Sequence, residues 1–321
     1  MQNIDDHRNY MLQAMALSTQ GVDRVSPNPY VGCLIVENNK IIADGFHHVA
    51  GGVHAEVDAL NSVDRITSDA VIYVTVEPCS IFGKTPPCVD RIVHSGINNV
   101  VVGMTDPNPD VNGRGIEELK KQGIHVHSGV LEKEIRHLNR GFIKRIETGY
   151  PWVILKLAQS SDGFISGSGK VRTQISGELS RRFTHKLRSD CDAVLIGRTT
   201  AFVDNPQLTV RYADGKNPIR FIADSNDRLP KSLNIFRDQK AKTVVLVSQK
   251  KMKTHRTSFC QYIAVKEKGN KMCPKDILKK ISTFGVTSLL IEGGAELAES
   301  FLSEDLVDEM VLIIKNVWRG V

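Results

Sequence analysis

Two Pro-Cys pairs in "EPCSIFGKTPPC" (77–88) and a His-x-Glu at 54–56 constrain this chain more than any other feature. Cys79 and Cys88 are open to three readings: buried small hydrophobes, a disulfide, or two ligands of one metal. Six cysteines, at 33, 79, 88, 191, 260 and 273, are irregularly spaced in 321 residues. That is not the dense framework of a small secreted domain, and it disfavours a crosslink. His54 opens a helical pattern, a β-forming run precedes Cys79, and each cysteine follows a proline at a loop-to-helix junction. One imidazole and two thiolates suit zinc and leave a fourth position for water. We therefore read His54, Cys79 and Cys88 as metal ligands.

The length exceeds one compact domain, so two are expected. Hydrophobic content of 41% and charged content of 24% are ordinary for globular cores. No apolar run approaches the roughly 18 residues of a membrane span. The start, "MQNIDDHRNYMLQAM", lacks the basic-then-apolar order of a secretory signal, so a cytoplasmic location is expected. Residues 1–146 carry 14 basic and 17 acidic side chains, whereas 147–321 carry 28 and 19. The basic half invites an anionic ligand. It has no aromatics clustered among its basic residues, so a small phosphorylated molecule is favoured over nucleic acid.

The first half alternates helical and strand patterns. "DDHRNYMLQAMALS" has helical periodicity, with Asp5 or Asp6 as its cap. "YVGCLIV" and "KIIADGF" form a hairpin through Asn38-Asn39. A helix at "HAEVDALNSV", a strand "AVIYVTV", a helix from about Pro87 to His94 and a strand "NVVVGM" follow, and the alternation continues to "GFIKRI". After "ETGYP" a β-forming run restarts. The spacing predicts domains at 1–147 and 148–321. The second has strands at 152–158, "DAVLIG", 219–223, 243–247, "SLLIEGG" and "DEMVLII", with helices at 177–189, 275–283 and "AELAESFL". Both halves are α/β, with helices packed on a sheet.

Zinc lowers the pKa of its water, giving hydroxide near neutral pH. Glu56, two residues past the ligand, can stand beside the metal, take that proton and deliver it to a leaving amine. His-x-Glu followed by Pro-Cys and a second Cys is the pattern of zinc nucleobase deaminases. Eight residues separate the cysteines here, in place of the usual two. With that loop, "SPNPYVGCLIV", "GFHHVAGGVHAEVDAL", "VTVEPCSIFGKTPPCVDRIVHSGI" and "VVGMTDPNPDVNGRG" resemble the deaminase half of bifunctional riboflavin-biosynthesis deaminase/reductases. The resemblance covers about residues 5 to 315. It implies a cytidine-deaminase-like three-layer domain followed by a dihydrofolate-reductase-like domain. The implied substrate is a diaminopyrimidinone carrying a ribosylamino 5′-phosphate, deaminated at the carbon bearing the 2-amino group. By the resemblance Asn28 contacts the base, although alone it reads as turn chemistry; Lys84 and Thr85 reach the phosphate. His47 and His48 either face the site or end a strand.

In the second half "IEGGAEL" places two glycines between a strand and a helix, a weak phosphate signal that a plain turn also explains. The resemblance implies that this half reduces the ribosyl group to a ribityl chain with NADPH. Ala158, Thr200, Asp204, Ser225 and the run Gly294, Ala295, Glu296, Leu297, Ala298, Glu299 and Ser300 fall where the family touches NADPH. Arg172, Arg188, Leu208, Arg211 and Glu292 fall where it holds substrate, and guanidinium groups suit phosphate. A homo-oligomer is also implied. The chain departs from the family twice: Ile81 replaces a histidine, and the sequence stops some tens of residues short. The first departure bears on substrate rather than metal, and for the second the resemblance implies a further strand beyond the given end.

Three rivals stand beside this reading: a deaminase with a non-catalytic binding module, an RNA-editing deaminase with a basic second half, and a structural zinc site. The long Cys–Cys gap and the lack of aromatic platforms oppose the second.

Overall fold

The computed structural model describes residues 4–22, 24–82, 86–164, 177–252 and 260–315. The chain divides into two compact units, Met1–Thr148 and Gly149–Val321.

The first unit runs α1 (Ile4–Ser18), β1 (Gly32–Glu37), β2 (Lys40–Phe46), α2 (Ala55–Asn61), β3 (Val71–Val76), α3 (Cys88–His94), β4 (Asn99–Met104), α4 (Arg114–Lys121), β5 (His125–Ser128), α5 (Glu132–Leu138) and α6 (Arg140–Thr148). Asp5 and Asp6 lie inside the first turn of α1, not ahead of it. They complement the helix dipole there instead of capping the end. The β1–β2 turn uses Asn38 and Asn39 with φ of 51° and 60°, as the Asn-Asn pair predicts. Among the described residues the sheet has the order β2-β1-β3-β4-β5. β1 is antiparallel to β2 and β3, and β3, β4 and β5 are parallel.

Alternation along the strands feeds two cores. Ile35, Ile72, Val74 and Val100 pack with Ala59, Ile92 and Leu119 on one face. Leu34, Tyr73 and Val101 pack with Met11, Ala14 and Ile135 on the other. This is the expected three-layer arrangement. Backbone meets backbone where α2 lies on β2, since a Cβ built on Gly45 would sit 2.3 Å from Ala59 N and 2.6 Å from Ala55 O. Only glycine admits so close an approach, and it sets the height of α2 above the sheet.

The second unit runs β6 (Trp152–Ser160), α7 (Glu178–Asp190), β7 (Ala193–Gly197), α8 (Arg198–Asp204), β8 (Ile219–Ala223), α9 (Asn234–Arg237), β9 (Thr243–Ser248), β10 (Gln261–Val265), β11 (Glu267–Lys268), β12 (Lys271–Met272), α10 (Pro274–Ser282), β13 (Ser288–Glu292), α11 (Ala295–Leu302) and β14 (Glu309–Lys315). Its described sheet has the order β10-β9-β8-β7-β13-β6-β14. Every neighbouring pair is parallel. Runs such as "AVLIG" and "TVVLVS" are apolar without alternation because both faces are covered. Leu195, Phe221, Leu246 and Ile291 meet Ile277, Ile281 and Phe301. Val194, Ile196, Ile222 and Val245 meet Ala201, Leu233 and Phe236. α8, the short α9, β10 and the β11–β12 hairpin are additions to the expected elements; the shortest of them carry almost no periodicity.

Arg220, 1% exposed, sits inside this unit. Nη1 donates to both Asp238 oxygens, at 2.8 and 2.9 Å, and to the Gln207 carbonyl at 2.9 Å. Nη2 donates to Ala241 O at 2.8 Å, and Nε to Thr243 Oγ1 at 3.0 Å. A buried charge keeps its place only when so thoroughly paired.

Two stability outcomes follow. Gly45→Ala should cost about 1–3 kcal/mol in denaturant unfolding of the first unit, because α2 must lift. Asp238→Ala should cost the second unit about 3–5 kcal/mol, because it strands the buried guanidinium.

Candidate functional site

The expected ligands converge. His54 is the residue before α2, Cys79 follows β3 by three residues, and Cys88 opens α3. His54 Nδ1 lies 3.2 Å from Cys88 Sγ and 3.5 Å from Cys79 Sγ, and the three ligand atoms fall within 4.8 Å of one another. The Cys79 carbonyl accepts Val89 N–H at 3.2 Å, which folds the second Pro-Cys back onto the first. The hydrogen bond between the two thiols draws the Cys79 pKa down to about 4 and holds that of Cys88 well up. One thiolate is thus already favoured, and a bound cation would release the proton of the other. An imidazole and two thiols on this scale fit zinc.

Glu56 is 3% exposed, in the first turn of α2 beside this cluster. Burial, followed by the Cys79 charge, pushes its carboxyl up to about 7. A buried carboxyl poised there can both accept and return a proton at neutral pH.

His54, Cys79 and Glu56 form part of the wall of a cavity of about 480 Å³, which Asn28, His47, Ile81, Asp106, Asn108 and Phe142 also line. His47 Nδ1 is 2.9 Å from the Val53 carbonyl, which only an N–H can satisfy. Nε2 is then an acceptor for Asn28 Nδ2 at 3.0 Å, so His47 orients Asn28. Burial holds the His47 pKa low, which keeps that acceptor available. His48 instead pairs with Asp58 at 2.9 Å on the exposed side. Asn139, between α5 and α6, accepts Tyr30 N–H at 2.7 Å and donates to Tyr30 O at 3.1 Å, pinning the loop that carries Asn28. Burial pushes the Asp106 carboxyl up to about 6.

Sequence reasoning passed over Asp106, Asn108 and Glu77. Asn108 had a signal, because Pro-Asn-Pro occurs at 27–29 and again at 107–109. Glu77 is a lone carboxylate directly after the β-forming run "AVIYVTV". Lys84, Thr85 and Arg172 lie outside the described residues.

In the second unit, Arg188 and Glu292 form a buried forked pair, Nε to Oε1 at 2.5 Å and Nη2 to Oε2 at 2.9 Å. Arg188 Nη1 adds Thr209 O at 3.2 Å. The guanidinium expected to grip phosphate therefore already has its fork filled by a second expected substrate residue. Burial pushes the Glu292 carboxyl up, but Arg188 outweighs it and the pKa lies below the usual range. Leu208 is buried with φ 55°, at the bend leading to exposed Arg211, whose backbone N–H donates to His185 Nδ1 at 2.9 Å. Thr200 and Asp204 share α8. Thr200 Oγ1 accepts Gly294 N–H at 3.1 Å, and Gly293, at φ 144°, admits it only because it lacks a Cβ. Of the 294–300 run, Gly294, Ala295, Glu296 and Glu299 are exposed, Leu297 and Ser300 are half-buried, and Ala298 is buried in the core. Ser225 accepts Ser248 N–H just past β8, and Ala158 pairs with Ile313 inside the sheet.

Residues 4–104 match the family model described as the cytidine and deoxycytidylate deaminase zinc-binding region, and residues 151–320 match the RibD C-terminal domain. A riboflavin biosynthesis protein RibD from Aquifex aeolicus is 38% identical over 96% of this chain and 86% of its own length. Its Escherichia coli counterpart is 34% identical over 95% and 86%. The crystal structure of a diaminohydroxyphosphoribosylaminopyrimidine deaminase/5-amino-6-(5-phosphoribosylamino)uracil reductase from Thermotoga maritima superposes with a TM-score of 0.88 at 34% identity, covering 99% of this chain and 89% of that one. The expected fold classes are borne out in both units. A zinc-binding deaminase region at the front and a reductase domain behind it, in one polypeptide and matched over nearly its whole length, place the chain in the RibD family of riboflavin-biosynthesis proteins.

Proposed function

We propose that the first unit hydrolytically deaminates a diaminopyrimidinone carrying a ribosylamino 5′-phosphate, and that the second reduces the ribosyl group of the product to a ribityl chain with NADPH. The observation that carries the reading is the His54–Cys79–Cys88 cluster beside buried Glu56 on one cavity.

His54, Cys79 and Cys88 would hold zinc, which when bound supplies an acidified water as nucleophile at neutral pH. Glu56 takes a proton at its carboxylate and returns it to the departing ammonia. Its burial beside the cluster raises its proton affinity above that of an ordinary carboxylate, which suits both transfers. Asn28, held by His47, faces the ring, while Lys84 and Thr85 are assigned to the phosphate. Ile81, 37% exposed, gives an apolar contact where a histidine is usual and leaves the ligand set intact. In the second unit the Arg188–Glu292 pair, Leu208, Arg211 and Arg172 receive the substrate. Ala158, Thr200, Asp204, Ser225 and the segment from Gly294 to Ser300 receive NADPH, which when bound supplies the hydride. No helix of the described residues is long and apolar enough to cross a membrane. A cytoplasmic homo-oligomer acting on a small molecule completes the reading.

Ammonia release followed by loss of NADPH absorbance, from purified protein given both compounds, is the expected result. Ammonia without NADPH loss would leave the second unit a binding module. Glu56→Gln should retain one zinc per chain by elemental analysis and lose about 10²–10⁴ in deamination rate. His54→Ala should lose the zinc itself. Full turnover by Glu56→Gln would remove Glu56 from the mechanism.

Burial of Glu56 also predicts a pH dependence. Its folded pKa, about 7, lies above the ordinary 4.5. The protonated carboxyl therefore favours the fold below pH about 4.5, and that contribution is lost as pH rises toward 7. Urea unfolding of metal-stripped protein should show wild type losing up to about 3 kcal/mol relative to Glu56→Gln across that window. Parallel pH profiles for the two proteins would contradict the assignment.

A further inference from the structure

Glu77 directly follows β3, two residues before Cys79, and is 4% exposed. Its Oε2 accepts the backbone N–H of Asp106 at 3.2 Å and of Gly113 at 2.9 Å. Its Oε1 accepts Gly115 N–H at 2.9 Å and Ile116 N–H at 3.2 Å. Four donors fill the acceptor sites of one carboxylate. They come from the two ends of a single segment, 105–116, which leaves β4 and enters α4. Gly113 caps α4 in the left-handed region, at φ 84°, so Glu77 also satisfies the amides of the helix's first turn. The fit has no slack, because a Cβ on Gly115 would lie 2.0 Å from the Pro78 carbonyl.

Between these two anchor points the segment turns on its own side chains, with Asn108 N–H on Asp106 Oδ1 at 2.8 Å and Asp110 N–H on Asn108 Oδ1 at 3.1 Å. That turn presents Asp106, Asn108 and Val111 to the cavity. Glu77, itself part of the cavity lining, thus joins the turn that carries Cys79 to the segment that bears Asp106, Asn108 and Val111.

We propose that Glu77 is a positioning residue: it fixes the 105–113 wall relative to the Cys79 turn, and so sets how tightly substrate is held without entering the metal's ligand set or touching reacting atoms. The proposal rests on the deaminase reading above. A carboxylate is required because a glutamine would turn an NH₂ group toward two backbone N–H donors and release one end of the wall.

The test compares wild type with Glu77→Gln and Glu77→Asp for zinc content, deamination kinetics on the diaminopyrimidinone ribosyl phosphate, and amide hydrogen exchange. Glu77→Gln should keep one zinc per chain, raise KM by about tenfold or more and leave kcat within a few-fold, the mark of lost uniform binding. Glu77→Asp, which keeps the charge, should recover part of the affinity. In wild type the amides of Asp106, Gly113, Gly115 and Ile116 should be protected and open together, and Glu77→Gln should speed all four. An unchanged KM, loss of zinc, or an equal fall in kcat and kcat/KM would overturn the proposal. So would unrelated exchange rates at the four amides of wild type, a measurement that stands even if the glutamine variant does not fold. No ammonia from wild type would sink the deaminase reading instead, and the exchange data would remain informative.

Discussion

The first unit depends on a carboxyl group being kept where it is least comfortable. Glu56 sits buried near a thiol that is itself drawn toward its anion, and the close seat of α2 on β2 fixes the helix that carries the carboxyl. Without a cation the arrangement is electrostatically costly, since burial and the neighbouring Cys79 charge both disfavour the carboxylate. With one, two anionic ligands and a proton-accepting neighbour become complementary. The surrounding architecture serves that point. β3 ends there, α2 and α3 begin there, and the three-layer packing holds all three ends rigid.

The second unit solves a different problem with the same physics. Its described sheet is parallel throughout and apolar on both faces, so polar chemistry is displaced to the ends of the strands. Glu292 closes β13, Gly294 and α11 follow, and α8 follows β7. The Arg188–Glu292 pair shows how a charged site persists next to such a core: each charge answers the other before any ligand arrives.

Much of this was legible in the residues. Strand runs, the Asn38–Asn39 turn and the restart after "ETGYP" were visible because periodicity and turn chemistry are local signals. The His54–Cys79–Cys88 cluster was visible because its residue types and its proline-flanked spacing are seldom met together by chance. What stayed hidden is non-local. No spacing rule shows that Asn139 clamps Tyr30, 109 positions away, or that Glu77 reaches the segment after β4. Arg188 read as a free phosphate-binding cation because its partner lies 104 positions along the chain. Asp5 and Asp6 read as caps because acidic residues favour both the cap and the first turn, and sequence alone does not separate them.

X-ray absorption at the zinc edge, on protein purified without added chelator, tests the central claim most directly. The account predicts a four-coordinate ion with two sulfur ligands, one imidazole nitrogen and one further light atom. An ion bound by sulfur alone, or a chain that takes up no zinc, would contradict it.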